Sequence, residues 1–246
     1  MSSHKTNKIV KNTVILYVRM FFTMLVSLYT TRVVLTTLGI EDYGIYNIIG
    51  GIIIMFSFIN NAMTIATQRF LAYELGLQDF EKLKKTFSMS MTAHISIALL
   101  IIILSETVGL WFVNNQLNIP GNRMYAANWV YQFTILTFTL NVLQVPYNAS
   151  VIAHEKMTFY AYLSVIEVSL KLIIVFLLQY GGFDILIFYS ILVSCVSIII
   201  LLTYKTYCTK KFESCNYHFF WDSEMYKKLL SFLSWSLLGN VSLISA

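Results

Sequence analysis

Phe183 to Lys211 reads FDILIFYSILVSCVSIIILLTYKTYCTKK, with a carboxylate at one end, a mainly apolar run to Tyr204, and Lys205, Lys210 and Lys211 at the other. No charged residue falls between Asp184 and Lys205. An α-helix rises about 1.5 Å per residue, so roughly 20 such residues cross the hydrocarbon core of a bilayer. Phe183–Tyr204 is therefore expected to be a spanning helix. Lys and Arg near span ends stay on the cytoplasmic side, which puts the lysine end inside and Asp184 outside.

Working outward, five further runs have the same character: Thr13–Thr36, Gly44–Thr67, Ser88–Val113, Arg123–Pro146 and Phe159–Tyr180. Another begins near Leu229 and reaches Ala246. Charges in the gaps alternate. Lys5, Lys8 and Lys11 precede the first span. Arg69, Lys82, Lys84 and Lys85 follow the second, Lys156 follows the fourth, and Lys227 and Lys228 join the lysines after the sixth. The other gaps hold Arg123 as their one cation, together with Glu41, Asp42 and Asp184. This asymmetry predicts a cytoplasmic amino terminus. Trp111, Trp129, Tyr43 and Tyr180 fall at outer span ends, as an interfacial aromatic belt requires.

Composition agrees. Of 246 residues 57% are hydrophobic and 12% charged, against about 25% charged in soluble domains; the mean hydropathy is +0.69. With 2 prolines and 10 glycines, the runs are too long and unbroken for short strands, so helices are expected throughout. A net charge of +5 raises nucleic-acid binding, but the cations sit in gaps between apolar runs and form no basic face on a soluble domain. The start after Lys11 continues past signal-peptide length without a small-residue cleavage site, so the first span is read as uncleaved. Cys195, Cys208 and Cys215 lack metal-ligand spacing and read as reduced thiols. No triad, zinc site, phosphate-cradling glycine loop or internal repeat is visible. The chain is read as no enzyme, with no cofactor. Asn148-Ala149-Ser150 is a false glycosylation match, because its gap is cytoplasmic.

The expected architecture is an all-α integral membrane protein, a six-helix transmembrane bundle plus the start of a seventh helix. Residues 1–12 form a cytoplasmic tail, 13–204 the six-span lobe, 205–228 a cytoplasmic interfacial linker and 229–246 the incomplete seventh span. Arg69 to Phe87 looks amphipathic, with Phe80, Leu83 and Phe87 at helical spacing and Asp79 placed to cap, and is expected on the cytoplasmic surface. Phe219 to Leu233, with Asp222 as cap, reads as an interfacial lead-in.

Ionisable groups inside hydrocarbon face protein or water by default, and so become site candidates. Arg19 lies about two turns into the first span, either facing a cavity or held in a structural pair. Arg32, near the outer end, can reach the headgroups by snorkelling. Glu167 and Lys171 stand at i and i+4, able to pair as a structural bridge or as a cavity wall. Glu106 reads as a headgroup-level acid and His94 as a packed or interfacial histidine. Asn60, Asn61, Gln68, Asn141 and Gln144 cluster toward inner span ends, where amides join helices or line a polar cavity.

Three strings are familiar: Leu38 to Gly51 (LGIEDYGIYNIIGG), Thr67 to Gly76 (TQRFLAYELG) and Val145 to Tyr162 (VPYNASVIAHEKMTFYAY). They resemble the polysaccharide transporter family, which includes the Wzx-type O-antigen and capsule flippases of the multidrug/oligosaccharidyl-lipid/polysaccharide exporter superfamily. The resemblance implies one lobe of a two-lobe exporter that moves a polyprenyl-diphosphate-linked oligosaccharide across a bacterial inner membrane by alternating access, for lipopolysaccharide or capsule synthesis. Its implied partners are the lipid-linked oligosaccharide, membrane lipids and a carboxy-terminal lobe that the chain lacks, so the expectation is a fragment inactive alone. It also implies a cavity cation for the diphosphate, which Arg19 matches approximately, while Arg32, Glu167, Lys171, Asn60, Gln68 and Gln144 complete the candidate cavity and Tyr17 and Tyr29 are loose sugar-holding candidates. Two alternatives stand beside it: a cation-coupled drug exporter of the same superfamily, and a membrane-embedded polymerase or glycosyltransferase, against which the short outer gaps weigh.

Overall fold

The computed structural model describes residues 2–54, 56–178, 184–219, 222, 226 and 227. Every regular element among them is helical: α1 (Ser2–Ile54), α2 (Ser57–Gly76), α3 (Phe80–Leu104), a π-helical turn (Ser105–Gly109), α4 (Leu110–Asn115), α5 (Met124–Ala153), α6 (Met157–Leu177), α7 (Ile185–Lys211) and a 3₁₀ turn (Glu213–Cys215). Five helical stretches are long and apolar enough to cross a membrane: Ile9–Ile53, Phe80–Asn115, Met124–Ala153, Met157–Leu177 and Ile185–Lys211.

The first stretch joins two of the expected spans. Gly39, at φ 80° and ψ 170°, interrupts α1 in a backbone region open mainly to glycine. The contacts on either side show that the segment before Gly39 runs from one end of the molecule to the other. Arg19 lies against Tyr160 and Ser164 near the start of α6, whereas Asp42 meets Arg123 at the start of α5 and the Tyr46 ring packs 5.0 Å from that of Tyr189 at the start of α7. Because α5 ends where α6 begins, these contacts lie at opposite ends of the molecule.

The neighbours of α5 run in opposite senses. Towards α7, Arg123 bonds Asp184, the Thr137 and Ser194 hydroxyls meet at 2.9 Å, and Cys208 donates to the Tyr147 carbonyl at 3.5 Å, so the two helices are parallel. Towards α3 the order inverts: Asn128 pairs with Asn114, Gln132 with Glu106, and the Tyr147 ring lies 5.5 Å from Phe87. Small and hydroxyl residues at the α5–α7 seam allow close approach, which matters in lipid because apolar burial gives helices no driving force to associate there. Buried Val130, Tyr131, Leu186, Val193 and Ile200 belong to one continuous core.

The element boundaries correct several expectations. Arg69 to Phe87 is not one surface helix: α2 runs to Gly76, a turn holds Gln78 at φ 58°, and α3 starts at Phe80. Asp79 does cap, accepting from the Lys82 amide at 3.0 Å. Leu83 and Phe87, however, are buried in the core, and only Phe80 of the three is exposed. α5 runs past Pro146 and continues to Ala153 with the proline buried inside it; the proline takes an amide away from the Val142 carbonyl, and Ser150 donates its hydroxyl to the Pro146 carbonyl at 3.0 Å. Residues 2–12 are helical and continuous with the rest of α1. The lead-in from Phe219 to Leu233 falls mostly, and the run from Leu229 wholly, outside the described residues, as does Tyr180.

Candidate functional site

Arg19 reaches from α1 to α6. Its Nη1 donates to Ser164 Oγ at 3.4 Å, and its guanidinium carbon lies 4.5 Å from the centroid of the Tyr160 ring, a cation–π arrangement. Ser164 donates its own proton to the Tyr160 carbonyl at 2.9 Å, which leaves its lone pairs for the arginine. Arg19 Nε is buried without a partner, and among the described residues no carboxylate pairs with this side chain.

The arginine borders a cleft of about 330 Å³ whose walls are otherwise apolar or neutral: Val14, Ile15, Val18 and Phe22 from α1, and Thr158, Ala161, Tyr162 and Val165 from α6. The planar donor fork of arginine suits phosphate oxygens.

Glu167 and Lys171 are paired at 2.6 Å, as their spacing required. With Ser164 they follow an i, i+3, i+7 order, so the pair continues the face of α6 that carries the Arg19 contact. Buried Tyr204 of α7 lies within electrostatic reach of Tyr160, Glu167 and Arg19 and packs edge-on against the Phe159 ring at 5.8 Å. The group thus carries two fixed cations and one carboxylate.

Other candidates are not gathered here. Arg32 is exposed and lies away from the cleft. Asn60, on α2, has its side-chain oxygen buried without a partner; Gln68 and Gln144 are half-buried. None of the three lines the Arg19 cleft. Asn61 and Asn141 are exposed. Tyr17 and Tyr29 are exposed too, at 65% and 53%, and the tyrosines beside Arg19 are instead Tyr160 and Tyr204. Tyr160 sits within the Val145–Tyr162 string, so a signal for it was present; Ser164 and Tyr204 carried none. His94 is fully buried, its Nδ1 bonded to the Ser90 carbonyl at 2.7 Å. Glu106 is exposed and accepts from Gln132.

A second constellation lies at the opposite end. Arg123 grips Asp42 with Nε at 2.7 Å and with Nη2, and it reaches Asp184 with Nη1 at 2.6 Å. Asp184 also caps α7, accepting from the amides of Leu186 and Ile187. The hydrogen bonds to Asp42 above all hold the Arg123 guanidinium above its ordinary pKa; partial burial opposes them, and the bond to Asp184 adds to the rise. Among the described residues no three His, Cys, Asp or Glu side chains form a metal site.

Taken together, the described residues form a helical bundle with five stretches long and apolar enough to cross a membrane and with an arginine at the edge of an apolar cleft. No protein-family profile matches the sequence, and no curated protein does. Solved structures do. An outward-facing multidrug-resistance MATE family transporter of the MOP superfamily superposes with a TM-score of 0.78 at 14% identity, over 96% of this chain and 52% of that one. A MOP superfamily transporter from Pyrococcus furiosus, described as having a binding pocket of reversed polarity, gives 0.75 at 15% identity over 96% and 52%. A point mutant of a MATE protein gives 0.79 at 14% over 96% and 53%. The chain spans about half the length of these transporters and has the fold of that half.

Proposed function

We propose that this chain is one lobe of a transporter that moves a polyprenyl-diphosphate-linked oligosaccharide across the membrane by alternating access, working with a second lobe. Six crossings are then formed: one by α1 before Gly39, one by residues 40–76, and one each by the α3–α4 stretch, α5, α6 and α7. The amino terminus and the lysine-rich turns lie on the cytoplasmic side, and Arg123 lies outside. The observation that carries this reading is Arg19, whose buried Nε has no partner, set at the edge of an apolar cleft and paired with no carboxylate among the described residues. A lipid diphosphate needs such a group, since it must shed water inside the bundle, and the apolar walls suit a polyprenyl chain. The Glu167–Lys171 pair flanks the same face, and Asn60, Gln68 and Gln144 are held in reserve for sugar hydroxyls on surfaces turned to the second lobe. No covalent chemistry is involved.

A second reading, a cation-coupled drug exporter, is favoured by the likeness to multidrug MATE structures. Complementation separates the two. In a bacterial strain lacking its lipid-linked oligosaccharide flippase, the chain expressed with its second lobe restores surface polymer; Arg19→Ala inserts normally but lowers export at least tenfold, and Arg19→Lys recovers part of it. Undiminished export by Arg19→Ala removes Arg19 from the site. Dye efflux without polymer rescue favours the exporter.

A further inference from the structure

Between α3, α5 and α7, at the lysine-rich end of the bundle, lies a groove of about 740 Å³ with two kinds of wall. Its mouth carries Lys84, Lys205 and His218; its throat is formed by Ile95, Leu143 and Leu201. None of the described residues lining it is acidic, and neither lysine has a carboxylate partner among the described residues. The rim is fixed in place. The segment after the 3₁₀ turn is tied to α3 by the His218 amide on Ser88 Oγ at 3.3 Å and by Tyr217 and Thr92 hydroxyls at 3.3 Å.

We propose that this groove is a binding site for an anionic glycerophospholipid, its phosphate held between Lys84 and Lys205 and one acyl chain lying in the throat. Two independent features select that occupant. The mouth holds two ammonium groups with no carboxylate partner among the described residues, the arrangement by which basic pockets between membrane helices take anionic headgroups. The throat has the right depth: from Lys84 to Ile95 α3 rises about 16 Å, close to the ~15 Å of hydrocarbon in one leaflet. A free anion would use the mouth and leave the apolar throat idle. The site is separate from the Arg19 cleft, with which it shares no lining residue, and does not depend on what the transporter carries.

Native mass spectrometry of the purified 246-residue chain in detergent, titrated with phosphatidylglycerol or with phosphatidylcholine of identical acyl chains, tests this. One phosphatidylglycerol is expected to bind in preference, and Lys84→Gln/Lys205→Gln to weaken that first association by roughly tenfold or more. Lys11→Gln/Lys156→Gln removes the same charge from exposed positions outside the groove and leaves the association unchanged. Ile95→Trp, which fills the throat and keeps both lysines, weakens it as well. Equal loss in the two lysine double variants reduces the effect to general charge attraction and overturns the site. So does displacement of the lipid by millimolar inorganic phosphate, or undiminished binding in the groove variants.

Discussion

Gly109 shows how narrowly a single position can be constrained. The Ser105 carbonyl accepts the Leu110 amide across the π-helical turn that ends at Gly109 and also accepts from Tyr131 Oη at 2.7 Å, and a Cβ added at Gly109 would fall 2.0 Å from the Tyr131 hydroxyl oxygen. Gly109→Ala is therefore expected to destabilise the protein by about 1–3 kcal/mol, as overpacking does. In the Tyr131→Phe background the added methyl group meets ring carbon at 3.2 Å instead, so its penalty shrinks, and thermal melts of the four proteins in one detergent measure the coupling. A second residue-scale test concerns Glu167 and Lys171. Glu167→Gln or Lys171→Met alone strands a charge at membrane depth and is expected to lower stability by about 1–2 kcal/mol, discounted because both side chains are about a third exposed. The double substitution recovers most of that loss if the pair is structural. If it recovers stability but not transport, the pair belongs to the cavity. The spacing of these two residues was readable from the sequence because the i, i+4 rule is local. Arg19's partners were not, since Ser164 and Tyr204 reach it only through the packing of α1, α6 and α7.

At the scale of elements, the turn between α5 and α6 carries a titratable contact. His154 stacks on Phe212 with ring centroids 3.9 Å apart, and burial first of all lowers its pKa from 6.5, against a hydrogen bond to the Ser150 carbonyl that opposes the shift. The folded state thus takes up the proton later than the unfolded one. Stability should be level above pH 6.5 and fall as the pH drops below it, until the folded histidine is itself protonated. His154→Phe should flatten that dependence between about pH 7.5 and pH 5.5, as followed by melting temperature; a slope unchanged by the substitution assigns it elsewhere. Asp79 responds further down. The Lys82 amide and ammonium hold its carboxyl below 3.8, so its cap persists above that value and is lost on further acidification. Helix existence was legible wherever apolar runs were long. Helix ends were less so: α5 runs past the expected span end at Pro146 to Ala153, and the charges from Arg69 to Lys85 disguised two helix ends and a turn as one surface helix.

For the whole molecule, the alternation of lysines predicted which ends lie together, and the contacts of Arg19 and Asp42 agree with that order. Arg123 shows the strength and the limit of the reasoning. As the one cation among the outer gaps it had to find acids, yet the sequence alone gave no reason for it to hold Asp42 and Asp184 at once. Arg123→Ala leaves two carboxylates facing each other and is expected to destabilise by about 2–3 kcal/mol. Arg123→Lys should recover little of it, because an ammonium lacks the fork that serves both acids; equal melting temperatures for the wild type and Arg123→Lys would remove the two-handed grip from the account.

Asp184 has a consequence of its own. One carboxylate is shared between a guanidinium and the first amides of α7, so the bend after Gly39, the entry to α5 and the entry to α7 are riveted at a single joint. A load applied at the bend after Gly39 is expected to reach the start of α7 through Asp42, Arg123 and Asp184, so that these three entries move together as a single collar.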